Sequence, residues 1–290
     1  MPSNWTRLEF AELIVLCCGA GLLVVGAVWL TLRKRWADVI RLPELPRNDV
    51  EPIDLLIALA AMWLLPSIFG ILLGVPTNGD TTTQPTTAPA SPSTSTAVAV
   101  FTAQLLTTLI LLLIARARTC GRLVDWGLDF RRVGSRFFQA AVAYVAVWPL
   151  CTIALHLTVL GIELVWPDYE PVEHNTIKTL LSGEADRLTI LLTVAGAILM
   201  APLVEEMFFR GLFLPLIAKA VRSRWAAVLL SGVAFGVFHT PLYHAIPALA
   251  VFGILLGYLY VRTGSLTLVI FVHSIFNGKT LLWLALGATP

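Results

Sequence analysis

Residues 188–218 read LTILLTVAGAILMAPLVEEMFFRGLFLPLIA, and this stretch decides the fold. About 20 predominantly apolar residues in a row are enough for a helix to cross the hydrocarbon core of a bilayer. The stretch is longer than that and carries charge only at Glu205, Glu206 and Arg210. The chain as a whole is 57% hydrophobic and 13% charged, whereas soluble domains have about 25% charged residues. The composition therefore excludes a soluble globular protein and indicates an integral membrane protein.

Seven further apolar runs resemble this one in length and composition. The eight candidate spans cover residues 12–32, 53–75, 97–115, 137–166, 188–218, 225–243, 245–261 and 264–286. Only a tight turn near Pro241 and Pro247 separates the sixth span from the seventh. We predict an all-α fold, a polytopic transmembrane helical bundle of about eight spans.

The basic residues are distributed unevenly between the two sides of the bundle. Fifteen of the 20 Lys and Arg lie in the loops after the first, third, fifth and seventh spans. The positive-inside rule assigns such loops to the cytoplasm, so both termini should be non-cytoplasmic. Residues 76–96 are rich in Thr, Pro and Ser, which is typical of a disordered loop. We expect a multi-pass protein of a bacterial inner (cell) membrane, in contact with the lipid bilayer and not with nucleic acid.

The fifth span contains charges that a membrane helix normally avoids. Each costs about 2.5–3.5 kcal/mol at the centre of a span, so all three need partners inside the bundle. Glu206 and Arg210 are four residues apart on one helix face and should pair, which keeps Glu206 ionised. Glu205 lies about 100° further round the helix. In apolar surroundings it should accept a proton from water more readily, so Glu205 is the candidate base.

The sixth and eighth spans supply imidazole and amide groups. His239 ends the sixth span, and His273 and Asn277 share one face of the eighth. At 1.5 Å per residue from the basic ends of the spans, Glu205 lies ~20 Å deep, His239 ~21 Å and His273 ~13 Å. These depths predict a common layer, and therefore one site. The remaining histidines are expected to lie outside that site: His156, His174 and His244.

Three short motifs carry a resemblance to a known family. Residues 205–210 match E-E-x-x-x-R, residues 235–239 match F-x-x-x-H, and residues 273–277 match H-x-x-x-N. In this order and on three apolar helices, they resemble the CPBP family of intramembrane proteases, which includes the type II CAAX prenyl endopeptidases and bacteriocin-processing relatives. The resemblance makes residues 188–283 a CPBP-type protease core. Residues 1–187, with the first four spans, form a separate N-terminal membrane region.

The resemblance implies an endopeptidase in which Glu205 activates water. His239 and His273 would then be partners of the water or the oxyanion, and Asn277 a hydrogen-bond donor. The substrate would be a membrane-associated peptide or protein, prenylated in the CAAX branch. Relatives are labelled metalloproteases, while a metal-free glutamate mechanism is also argued for them. Since H-E-x-x-H is absent, two alternatives stay open: a divalent metal such as zinc on His239, His273 and Glu205, or no cofactor.

Two functions of other classes remain compatible with the sequence. A channel or transporter could use the same polar cluster as an ion or proton path. A catalytically silent immunity or scaffold protein could keep the fold without cleaving anything.

Overall fold

The bundle is entirely helical in the part of the chain that the computed structural model describes, namely residues 7–46, 49–75, 93–119, 121–172 and 174–286. Eight apolar helices form it: α1 (Arg7–Leu32), α2 (Pro52–Leu72), α3 (Thr94–Arg118), α4 (Val133–Val165), α5 (Arg187–Val221), α6 (Arg224–Val237), α7 (Ile246–Thr263) and α8 (Leu266–Ala285). Seven are long and apolar enough to cross a membrane, and α6 is shorter. The predicted all-α polytopic fold is confirmed.

Each predicted span corresponds to one helix, although the boundaries shift by up to six residues; α1 begins at Arg7 and α4 at Val133, several residues before the predicted starts. The helix α6 ends at Val237, whereas the sixth run was predicted to continue to residue 243. Pro241 explains the early end because proline has no N–H and disfavours helical backbone in the residue before it. The helix α3 begins inside the predicted disordered loop, where the Ser93 side chain accepts a hydrogen bond from the N–H of Thr96. The rest of that loop, residues 76–92, lies outside the described residues.

A close crossing of α6 and α7 lies at the centre of the core. A Cβ atom on Gly232 would lie 2.4 Å from the backbone nitrogen of Ile254, so only glycine permits the two backbones to approach so closely. The opposite contact involves Gly253, whose added Cβ would lie 2.8 Å from the carbonyl oxygen of Gly232. This crossing brings the backbone of α7 within reach of the charged residues on α5.

The segment between α1 and α2 lies across the ends of α6 and α7. Side chains from these helices donate hydrogen bonds to its backbone carbonyls: Trp225 to Ile40 at 2.7 Å, Arg224 to Leu42 at 2.7 Å, Arg262 to Arg41 at 3.3 Å and Tyr258 to Val39 at 3.4 Å. Four successive carbonyls are therefore satisfied by side-chain donors. These contacts join the N-terminal membrane region to the last helices at the end that carries the basic loops.

Candidate active site

The helix α5 is widened on both sides of its two glutamates. Residues Gly196–Met200 and Met207–Phe213 are π-helical, and the six residues between them are α-helical. A π-helical turn loosens the regular backbone ladder and is frequent at functional sites. Here the first of these segments offers the carbonyl of Ala197, which accepts a hydrogen bond from the Asn277 amide at 2.8 Å. That bond ties α8 to α5 beside the glutamates.

Glu206 is held by two partners in the interior of the bundle. Its Oε1 accepts one hydrogen bond from Arg210 at 3.0 Å and another from Nδ1 of His273 at 2.8 Å. Arg210 donates a further bond, of 2.7 Å, to the carbonyl of Gly253. The guanidinium also lies 4.8 Å from the ring centroid of Phe235, a cation–π distance. The predicted ion pair between Glu206 and Arg210 is therefore present, and both side chains are fully buried. His273 is a third member of this buried group.

Glu205 faces both imidazoles. Its Oε2 lies 3.9 Å from Nε2 of His239 and 3.9 Å from Nε2 of His273. The other ring nitrogen of each histidine is already used, because Nδ1–H of His239 donates to the carbonyl of Phe235 at 2.8 Å and that of His273 donates to Glu206. Both rings are therefore fixed with Nε2 toward Glu205. The two motif histidines and the first motif glutamate come together, as the depth argument predicts.

The site is open on one side and closed on the other. The side chains of Glu205 and His239 are 22% and 21% exposed, whereas that of His273 is 4% exposed. The rings of Phe235 and Phe252 lie 5.6 and 5.5 Å from the His273 ring and form an apolar wall behind it. Solvent or substrate therefore reaches Glu205 from the side of His239.

The charges of the cluster nearly cancel. Two carboxylates and the Arg210 guanidinium leave one negative charge, and protonation of one imidazole would make the cluster neutral. Neutrality matters because unbalanced charge is expensive inside a membrane. A positive charge on the His273 ring would face the carboxylate of Glu206, to which its Nδ1–H bonds.

The three candidate metal ligands do not fit a zinc site as they are placed. Tetrahedral zinc holds nitrogen and oxygen ligands about 3.4 Å apart, whereas each separation between Nε2 and Oε2 is 3.9 Å. Among the described residues, no group of three or more His, Cys, Asp and Glu side chains is arranged to hold a metal ion.

Two histidines outside the motifs lie in the loops that follow α4 and α6. His244 lies 3.4 Å from the hydroxyl of Tyr169, which joins the loop after α4 to the turn after α6. His174 is exposed at the surface, yet the protein around it lowers the pKa of its imidazole below the usual 6.5; His239 adds to this effect and Glu205 opposes it. The charges of the site therefore act on the His174 imidazole less strongly than the surrounding protein does. Its position in a polar loop gave no signal of this in the sequence.

The geometry agrees with a match to a known protein family. Residues 187–278 match the family described as type II CAAX prenyl endopeptidase Rce1-like. This part of the chain is a CPBP-family domain. The match covers about a third of the chain and includes all six predicted site residues. No curated protein and no solved structure matches the chain.

Members of this family are CAAX-type intramembrane proteases, so the match supports a peptidase at the level of the family. Proteases of this type act on membrane-associated protein substrates within the bilayer. The first four helices lie outside the matched region. Their contribution has to be inferred from their contacts with the domain.

Proposed function

We propose that the CPBP domain hydrolyses a peptide bond with a water molecule that Glu205 activates. One observation carries the proposal: Nε2 of His239 and Nε2 of His273 converge on Oε2 of Glu205 at 3.9 Å each. A water oxygen about 2.8 Å from each atom fits such a separation. Oε2 of Glu205 is buried and has no hydrogen-bond partner among the described residues. A buried polar atom of this kind is usually satisfied by water or by substrate.

Hydrolysis then follows from the roles of three side chains. Glu205 takes a proton from the water, and the hydroxide forms a bond to the carbonyl carbon of the substrate. The resulting oxyanion accepts a hydrogen bond from Nε2–H of protonated His273. When the C–N bond breaks, Glu205 returns the proton to the leaving amine. His239 orients the water, and the overall reaction adds one water to give an acid and an amine.

Glu206 and Arg210 act through His273 in this scheme. The carboxylate of Glu206 fixes the His273 ring through Nδ1 and stabilises its positive charge. Arg210 in turn holds Glu206 and anchors it to the backbone of α7 at Gly253. Asn277 bonds to the Ala197 carbonyl and keeps α8 in register with α5. These three residues therefore position the groups that touch the substrate.

The substrate we propose is a membrane-associated peptide or protein with its scissile bond at the depth of Glu205. The first probe is a fluorogenic peptide with a farnesylated CAAX terminus, assayed in proteoliposomes beside the same peptide without the farnesyl group. Unknown substrates are sought by comparing the membrane proteomes of cells that carry the wild-type protein or Glu205→Gln. Peptides whose new termini disappear in the variant are candidate products.

Glu205→Gln is the deciding variant. It keeps the shape of the side chain but removes the base, so we expect cleavage to fall by about 100- to 10 000-fold with normal membrane insertion. Glu163→Gln is the matched control, because Glu163 is an exposed glutamate near the end of α4 and belongs to none of the three motifs. Unchanged cleavage with altered ion flux would favour the transporter. Full biological activity in Glu205→Gln would favour the scaffold.

A further inference from the structure

A second charge cluster, partly buried, joins the first helix to the last. Nζ of Lys279 on α8 lies 2.8 and 3.0 Å from the two carboxylate oxygens of Glu12 on α1. Trp148 on α4 donates its indole N–H to the same carboxylate at 3.2 Å. The ammonium also lies 3.8 Å from the Trp148 ring centroid and 4.9 Å from that of Trp283. The Lys279 and Glu12 side chains are 14% and 26% exposed.

The pair lies within the apolar length of both helices. Glu12 is five residues, about 7.5 Å, from the first residue of α1, and Lys279 is six residues, about 9 Å, from the last residue of α8. A buried ion pair can often be replaced by apolar residues without loss of stability. Its presence at this depth therefore points to a role beyond holding the bundle together.

Without this pair, α1 has few attachments to the bundle. Only 6% of its apolar span is buried, and it packs against α4 where Gly19 allows a close approach. A Cβ on Gly19 would lie 2.1 Å from the carbonyl oxygen of Val145. The contacts of Glu12 with Lys279 and Trp148 thus add a polar attachment to an otherwise lipid-facing helix.

A continuous row of aromatic rings links this cluster to the candidate active site. The Trp148 ring lies 5.6 Å from Phe276, Phe276 is stacked on Phe252 at 4.3 Å, and Phe252 lies 5.5 Å from the His273 ring. Along α8 itself, Lys279 follows Asn277 by two residues. A displacement of Lys279 would therefore move both the His273 ring and the Asn277 amide.

We propose that Glu12 and Lys279 form an intramembrane latch through which α1 sets the position of α8, and with it His273 and Asn277. The latch makes a helix outside the matched family region part of the working enzyme. Both latch residues are positioning residues, since neither touches the reacting atoms. The expected effect on kcat rests on the proposed hydrolysis. The effect on the position of the His273 ring does not, and it can be measured separately.

The test compares Lys279→Met with a matched variant, Arg118→Met. Arg118 pairs with buried Asp54 at 2.8 Å and so joins α2 to α3, away from α8. For Lys279→Met we expect kcat to fall at least tenfold with KM within about twofold. The conservative variant Lys279→Arg keeps the positive charge beside Glu12 and Trp148 and should retain at least a third of the wild-type kcat. Arg118→Met should lower the melting temperature and leave kcat within about twofold.

The second readout is the imidazole nitrogen spectrum of the protein labelled at histidine, which is practicable because the chain has five histidines. The Nδ1 resonance of His273 should shift or split in Lys279→Met and stay in place in Arg118→Met. Glu12→Gln, a milder change, is used if Lys279→Met does not fold.

The outcomes separate the latch from the proposed hydrolysis. An unchanged kcat and an unchanged His273 resonance in folded Lys279→Met would overturn the latch, as would an equal loss of kcat in Arg118→Met. If the wild-type protein cleaves no peptide, the proposed hydrolysis fails. The nitrogen spectrum still decides whether the latch positions His273.

Discussion

The bonds of Glu206 predict that two variants, Glu206→Gln and the same change combined with Arg210→Met, together separate the effect of Glu206 on stability from its effect on catalysis. Glu206→Gln alone leaves Arg210 fully buried beside a neutral amide, with the Gly253 carbonyl as its remaining strong acceptor. It also removes the negative charge that the Nδ1–H of His273 faces. A second variant, Glu206→Gln with Arg210→Met, removes both charges of the pair but leaves His273 without its carboxylate.

The magnitudes follow from the burial of the pair. Removing one partner of a buried ion pair costs about 3–5 kcal/mol, so Glu206→Gln should lower the melting temperature by about 6–20 °C. Replacing both partners with neutral side chains of similar volume is often close to neutral, so the double variant should regain at least half of that loss. The kcat should be about 100-fold lower in both variants, because neither has a carboxylate to fix the His273 ring.

Thermal unfolding in detergent and kcat on the farnesylated peptide, or on any peptide whose cleavage requires Glu205, provide the two readouts. Glu163→Gln controls for the loss of a glutamate elsewhere in the bundle and should change neither. Recovery of kcat together with stability in the double variant would refute the assignment of Glu206 to His273. An unaltered melting temperature in Glu206→Gln would refute the account of the buried pair.

Three further predictions follow from the structure. Gly232→Ala places a methyl group 2.4 Å from a backbone nitrogen and should destabilise the fold by about 3 kcal/mol, whereas Gly161→Ala, which meets nothing within 4 Å, should change the melting temperature little. Activity should survive dialysis against a chelator, since the described ligand atoms do not fit zinc; a loss that added zinc restores would contradict this. Nδ1 of His174 accepts the N–H of Thr176 at 3.2 Å, and the protein around this imidazole lowers its pKa below 6.5 by removing part of its hydration. The bond should therefore persist at pH 7 and disappear only as the pH falls below 6.5 and Nδ1 is protonated, which hydrogen-exchange protection of the Thr176 amide would detect.

Much of the fold could be predicted because a membrane imposes a simple rule on composition. Each apolar run became a helix, and the spacing of four residues between Glu206 and Arg210 placed them in contact. Counting residues from the ends of the spans also placed Glu205 near both imidazoles. Those inferences use only helix periodicity and rise, which are the same in every α-helix.

The sequence did not predict how each helix is rotated about its own axis or where the backbone departs from a regular α-helix. The bond between His273 and Glu206 joins residues 67 positions apart, and it depends on how α8 is turned about its axis. The carbonyl partners of Asn277 and Arg210 depend on the π-helical segment of α5 and on the close crossing at Gly253. Periodicity carries no information on such contacts, because side-chain spacing describes only an ideal helix.

The two π-helical segments of α5 allow the number of residues in this helix to change without a change in the distance that it spans. A π-helical turn accommodates one more residue than the α-helical turn it replaces, and each residue turns a helix by about 100°. Deleting a single residue between Gly196 and Met200 could let that stretch relax into an ordinary helix without shortening the span. The residues on the two sides of the deletion would keep their mutual orientation, and Glu205 would still face the imidazoles. A deletion in the α-helical residues between Ala201 and Val204 would instead rotate one side against the other by about 100° and turn Glu205 away from them. The tolerance of this membrane helix to a deleted codon should therefore change within a single turn.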